Sequence, residues 1–307
     1  MITMLQPTRA PEGNANIFPL KQDVTLPQTM ALYNTAKRLH WDPTTDIPFH
    51  LFDKSKYSKA QLDAGRWWWS HRAWIEFSVI PAATEALKKI AFSGLEAETK
   101  NFFTILMFEE ARHVEVSAML AEAMGGYMPE PEEEWFKPII GVGVTDAIYR
   151  PEVCLVAAAA ALHCFLETLS TELFKRRFAN ATDPVCKEVV RLVLQDETRH
   201  GLFGWVYLSE KFTSLSEEDK RQVAQAVEYD IDRGLQGMYS TIGVPAEDRA
   251  KEIEKRRIAT EAGFGGCTAD EENMILCNVV RGIRKRLSRY GIHIREYPEL
   301  ERFAKAA

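Results

Sequence analysis

Apolar residues recur at three- and four-residue intervals along most of this 307-residue chain, and few stretches alternate with the two-residue period of a strand. The pattern predicts an all-α protein built on four long helices. Ser58, with Gln61 three residues on, is a capping box that opens a helix through Trp67, Trp68, Trp69, Trp74 and Glu76 to about Ile90. Pro81 is expected to kink it. Ser93 and Glu96 repeat the capping pattern before a second helix, which Gly125-Gly126 closes. A third runs from Pro151, a favourable first helical residue, to about Phe178. Asp183-Pro184, an N-cap followed by Pro at the first helical position, opens a fourth that reaches about Phe212.

Other segments frame this core. Residues 1–57 read as an irregular arm with a short amphipathic helix, Gln28 to Arg38, followed by a breaker-rich loop from His40 to Phe49. Tyr127 to Tyr149 is punctuated by Pro and Gly, which suits a connection across one end of a bundle. Ser216 to Tyr239, Ala246 to Ala262 and Thr268 to Arg289 read as three further helices. The expected organisation is a single domain: a core over 58–213, with the helices of 214–307 packed on it.

Composition narrows the function classes. A formal net charge of −6 and a pI near 5.8 argue against a nucleic-acid partner or a polybasic membrane anchor. The five cysteines (Cys154, Cys164, Cys186, Cys267 and Cys277) are odd in number and lack C-x-x-C spacing. A disulfide framework or a structural zinc site is therefore not expected, and a reducing cytoplasm fits best. The first residues contain no apolar core segment of a signal peptide. The most apolar run, Cys154 to Leu162, is too short to span a bilayer and reads as a buried helix.

Two stretches carry the chemistry: Glu109-Glu110-Ala111-Arg112-His113 and Asp196-Glu197-Thr198-Arg199-His200. Each reads acid-Glu-x-Arg-His. On a helix, residues three apart share a face, so each stretch aims a carboxylate and an imidazole at one point. A dinuclear site in a bundle then needs one carboxylate from each of the two remaining helices. Glu76 sits among Ala73, Trp74, Ile75 and Phe77, where a lone carboxylate is costly to bury unless it binds a cation or pairs with Arg72 one turn earlier. Its competitor Glu85 lies beside Lys88 and Lys89. On the third helix the apolar surroundings favour Glu167 over Glu172, which is followed by Lys175, Arg176 and Arg177. Four carboxylates and two imidazoles suit a pair of redox-active iron ions better than zinc, with manganese at one position as an alternative.

With these residues the chain resembles the ferritin-like carboxylate-bridged diiron proteins over about 60–215. The resemblance implies a first metal held by Glu76, Glu110 and His113 and a second by Glu167, Glu197 and His200, with Glu110 and Glu197 bridging. It also implies that Glu109 and Asp196 hold the imidazoles of the opposite half, and that Arg112 and Arg199 pair with those acids. The Glu-x-Arg-His form and Thr171 are similar to bacterial multicomponent monooxygenases. The Trp41-Asp42-Pro43 entry resembles ribonucleotide reductase small subunits and the related ligand-binding oxidases, and the ligand spacing resembles arylamine N-oxygenases. Each subfamily departs at one position: Ser117 in place of a radical Tyr, Leu162 in place of a cross-linking Tyr, and Val193 in place of an extra His.

The function this implies is a non-haem diiron oxygenase that activates dioxygen to oxidise a small organic substrate. The alternatives are a reductase-subunit-like or ligand-binding metal oxidase, or an iron-oxidising protein. Positions one turn from each ligand (Val79, Ile80, Phe103, Leu106, Ser117, Cys164, Val193, Leu194 and Gly201) are mostly apolar, so a hydrophobic or aromatic substrate is expected. Turnover would draw electrons from a separate reductase or ferredoxin. Thr171 is a candidate proton relay or a helix Thr bonding its own backbone, and His163 a seventh ligand or a core histidine. Gly201 and Gly204 leave room for a ligand or for close helix packing. A homodimer remains a candidate assembly.

Overall fold

The computed structural model describes residues 23–92, 96–132, 137, 146–235 and 249–304. Helices dominate, and among the described residues there is no strand. Helix α1 (Pro27–Arg38) starts on a proline and lies across α3 and α6. Helix α2 (Lys59–Ala91) begins at the expected capping box: the Ser58 hydroxyl accepts from the Gln61 backbone, and the Gln61 side chain accepts in return. It runs for 33 residues, about 50 Å at the α-helical rise, and remains helical past Pro81. The ring removes only the N–H that would bond the Phe77 carbonyl, and Phe77 is exposed, so water can satisfy that carbonyl.

Helix α3 (Ala97–Met124) returns antiparallel along α2 and ends at Gly125, whose φ of 137° is open to glycine. Glu96 precedes it with φ 53°, and its carboxylate accepts from Tyr207, Lys211 and Thr99. Its expected partner Ser93 lies outside the described residues, as do parts of the Tyr127–Tyr149 connection and the ends of two of the later helices.

The third core helix departs from expectation at its start. Pro151 lies in a turn closed by the Val153 N–H on the Arg150 carbonyl, and helix α4 (Leu155–Ala159) begins after an extended Cys154. It then widens into a π-helical segment, π1 (Ala160–Glu167), before α5 (Thr168–Asn180) resumes the α-helical pitch. Asp183 caps α6 (Pro184–Lys211) by accepting from the Val185 and Cys186 backbone. The three-residue connection makes α5 and α6 an antiparallel pair.

Helices α7 (Glu217–Arg233), α8 (Ala250–Glu261) and α9 (Ala269–Ser288) cover the core. Helix α7 packs on α4 and π1, α8 on α2, and α9 on α5. Apolar side chains fill the bundle in two buried clusters, one around Phe102, Phe103, Leu162, Phe165 and Phe203, the other around Trp67, Trp68, Trp69, Val189 and Phe264. Trp67 and Trp68 stack on His71, so the tryptophan run is packing material on three sides of one helix. No described helix is long and apolar enough to cross a membrane.

Candidate metal centre

Six side chains from four elements meet in the middle of the bundle. Glu76 comes from α2, Glu110 and His113 from α3, Glu167 from the end of π1, and Glu197 and His200 from α6. All six are buried. They form two overlapping groups whose ligand atoms lie within 4.8 Å of one another: Glu76, Glu110, His113 and Glu197, then Glu110, Glu167, Glu197 and His200. Glu110 and Glu197 belong to both. The imidazole centroids of His113 and His200 are 5.8 Å apart.

Each imidazole turns Nδ1 to the cluster and Nε2 away from it. His113 Nδ1 is 3.5 Å from Glu110 and 3.6 Å from Glu197, and His200 Nδ1 is 3.0 Å from Glu110. On the outer side, His113 Nε2 is 3.1 Å from Asp196 and His200 Nε2 is 2.9 Å from Glu109. The contacts cross: the acid on α6 holds the imidazole of α3, and the acid on α3 holds that of α6. Arg112 donates to Asp196 at 2.6 Å, and Arg199 donates to Glu109 at 2.6 Å and also to Asp196. Both arginines thus add charge-assisted hydrogen bonds to these acids in a dry interior.

The inward atoms are the ones left over. Both oxygens of Glu110, one each of Glu167 and Glu197, and Nδ1 of both histidines are buried with no hydrogen-bond partner. Orphaned acceptors of this kind are costly unless a cation faces them. Without one, the cluster must hold protons. Burial and then the charges of Glu197 and Glu110 push Glu167 well above the usual carboxylate range, and burial with Glu110 and Glu76 brings Glu197 up to about 7. Burial also raises Glu110, but His113 and His200 outweigh it and bring the carboxyl down to about 2. Burial lowers His113, and Glu110 and Asp196 outweigh it, giving about 10. The donor set fits a dinuclear site of ions that accept oxygen and nitrogen ligands.

Several expectations are refined here. Glu76 is both near the cluster and paired with Arg72, so the two readings coexist. Glu85 and Glu172 are at the surface with Lys88 and Lys175. The Thr171 hydroxyl lies 2.7 Å from the Glu167 carbonyl and 2.8 Å from the Glu197 carbonyl. Its one proton is engaged with backbone, the arrangement of the backbone-bonding alternative. His163 donates from Nδ1 to the His200 carbonyl at 3.0 Å and packs among Phe102, Phe103 and Phe203. Burial and then His200 lower it to about 3, as befits a neutral core histidine. Gly201 and Gly204 serve close packing: a Cβ on Gly204 would lie 2.6 Å from the Cys164 nitrogen, and one on Gly201 3.0 Å from the Glu167 oxygen.

One participant was missed. Trp41 donates from its indole nitrogen to Asp196 at 2.8 Å, stacks on His113, and lies under the Arg112 guanidinium. Its carbonyl and the exposed His40 complete the Arg112 contacts. The Trp41-Asp42-Pro43 run was the available signal, but only the fold brings it beside a residue 155 positions on.

The cavity beside the cluster is small, about 20 Å³, and is lined by Ile75, Val79, Leu162, Leu166 and Leu173 with Arg72, Glu76, Glu167, Ser170 and Arg177. That volume holds about one water. Of the nine expected lining positions only Val79 contributes, because the wall comes from the face between α2 and π1/α5 rather than from every helix equally.

No protein-family model matches the chain, and no curated protein matches it in sequence. Solved structures do match in fold. An R2-like ligand-binding oxidase with an aerobically reconstituted Mn/Fe cofactor superposes with a TM-score of 0.57 at 18% identity, covering 87% of this chain and 94% of that one. A variant of the same oxidase with an anaerobically reconstituted Mn/Fe cofactor gives 0.57 at 18%, covering 85% and 93%. The chain thus shares the helical fold of these oxidase structures.

Proposed function

We propose that this chain is an R2-like metal oxidase whose cofactor is a pair of transition ions, Fe/Fe or Mn/Fe, with dioxygen as cosubstrate. The observation that carries the reading is the overlap of two buried ligand groups through Glu110 and Glu197. Glu76 and His113 would complete one ion's set, and Glu167 and His200 the other's. The fold likeness to a Mn/Fe ligand-binding oxidase supports this reading over a hydroxylase of free aromatic substrates, as does a neighbouring cavity of only about 20 Å³. When bound, such a pair of ions supplies the electrons and Lewis acidity that activate dioxygen.

The protein's own part is positioning and exclusion of water. Asp196 and Glu109 accept from the Nε2 atoms of His113 and His200, which presents Nδ1 of each ring as the ligand atom. Arg112 and Arg199 help to hold the Asp196 carboxyl below its usual range, and Arg199 also donates to Glu109. Val79, Leu162 and Leu166 close the cavity side. Oxidation of a small hydrophobic substrate is the second reading, favoured by that apolar wall, and it requires the wall to open.

The test is anaerobic loading with ferrous iron alone and with manganese plus iron, followed by metal counting and oxygen exposure. Two ions per chain and stoichiometric oxygen uptake are expected, both lost in Glu110→Ala and His200→Ala. Fewer than one tightly held ion per chain in the unsubstituted protein rules the reading out.

A further inference from the structure

Fifteen residues at the end of α9 and beyond, 281–295, hold six cations and no acid in a chain whose net charge is −6. Three of the six are spoken for: Arg281 pairs with Glu301, Arg284 with Glu296, and Arg295 with Asp232. Lys285, Arg286 and Arg289 are exposed and form no ion pair among the described residues. Arg286 instead lies flat over the indole of Trp205, 4.0 Å from the ring centre.

Beneath that contact is a groove of about 400 Å³, between α5, α6 and α9. Its lining includes Thr168, Trp205, Val279, Gly282, Ile283 and Arg286. A Cβ on Gly282 would meet nothing within 4 Å, so the α9 side is left bare. One acid lines it, Glu172, already paired with Lys175. One lining residue, Thr168, directly follows the candidate ligand Glu167. Trp205 is five residues past His200 on α6, about 7.5 Å of helix rise, and its indole donates at 3.1 Å to Thr168, the residue after Glu167.

We propose that this basic face is the docking surface for an acidic one-electron carrier protein, with Trp205 as the contact through which the electron enters. A positive recess on an otherwise acidic protein steers a negatively charged partner towards it. The inference rests on the oxidase reading, since a carrier has a role only where the cluster is redox-active. In each encounter the carrier loses one electron and one metal ion gains it, so two encounters bring both ions to the divalent state. Trp205 acts here as the path of the electron, not as a ligand.

The test mixes the iron-loaded, oxidised protein with a reduced acidic [2Fe–2S] ferredoxin in a stopped-flow instrument, and titrates oxidised ferredoxin by calorimetry at low salt and at ~0.5 M salt. Binding that weakens at least about tenfold with salt, and by a similar factor in K285E/R289E at low salt, is expected. Iron content and reduction by dithionite should be unchanged in that variant. Trp205→Phe should bind the ferredoxin as the parent does yet be reduced more slowly by it. Parental binding and reduction in K285E/R289E overturn the proposal. So does loss of ferredoxin-driven reduction in His40→Ala with none in K285E/R289E, which moves docking to the Trp41 end. Binding of ADP without binding of ferredoxin makes the groove a small-anion site and also overturns it. Iron that is not retained counts against the oxidase reading alone, because the calorimetry still decides the docking face.

Discussion

Asp196 is the most heavily used side chain near the metal centre: it meets His113, Trp41, Arg112 and Arg199. Burial raises its carboxyl, but His113 and the two arginines hold it well below the usual range. Asp196→Asn keeps the shape and removes the charge, leaving two buried guanidinium groups undercompensated. The expected outcome is metal affinity lower by roughly 10–100-fold and a loss of about 3–5 kcal/mol in stability, read by chelator competition and denaturant titration. Thr171→Val is the contrasting case. Its hydroxyl serves two backbone carbonyls, so the loss is about 1 kcal/mol, with metal content and oxygen uptake unchanged. A tenfold slower uptake at full metal content would restore Thr171 as a proton relay. The crossed acid–imidazole contacts follow a pattern readable at Glu109 and Asp196. The role of Thr171 was not readable, because the spacing from Glu167 to Thr171 is the same whether the hydroxyl faces the ions or the preceding turn.

Among the elements, π1 sets the position of Glu167. Residues 160–167 wind wider than an α-helix, and the Thr168 hydroxyl returns to the His163 carbonyl five residues back. The neighbouring α6 approaches so closely that Gly204 lies against the Cys164 backbone. Gly204→Ala would put a Cβ 2.6 Å from the Cys164 nitrogen and 2.7 Å from the His163 Cβ. Because backbone must move, the substitution is expected to cost about 1–3 kcal/mol and to shift Glu167, so that calorimetry reads a lower Tm and metal counting a weakened second ion. An unchanged Tm would mean that α6 moves freely over π1. Helix starts with a capping signal were legible, as at Ser58 and Asp183, where the predicted side chain makes the cap. The start of α4 was not: Pro151 offers a suitable φ, but the chain spends Arg150 to Val153 in a turn before Cys154. The Ala157–Ala161 run has no preference that separates π from α winding, since the difference is set by the helix it faces.

At the scale of the molecule, buried ion pairs connect the metal centre to the C-terminal helices. Arg72 pairs with Glu76, and Arg177 on α5 lies 4.0 Å from Glu272 on α9. Glu272 also pairs with Arg256 on α8, which shares Glu252 with Arg249 at 2.6 and 2.5 Å. The guanidinium groups of Arg177 and Arg256 lie over the Trp68 ring of α2, so the same charges that tie α8 and α9 to each other touch the first core helix. Glu272→Gln removes the one carboxylate among the described residues within 4.0 Å of Arg177, and half of the compensation of Arg256. Both cations are buried, and breaking a buried pair from one side costs about 3–5 kcal/mol. If 214–307 folds as part of the core, that loss falls on the whole protein. Thermal unfolding of Glu272→Gln then shows one transition at lower temperature, with bound metal released in the same step. If the C-terminal helices were a separate unit, the variant would lose helix content first in a partial transition while the six-ligand centre kept its ions. Circular dichroism recorded together with metal release separates these results, and the ion pairs reaching from Glu272 back to α5 and Trp68 argue for the single transition.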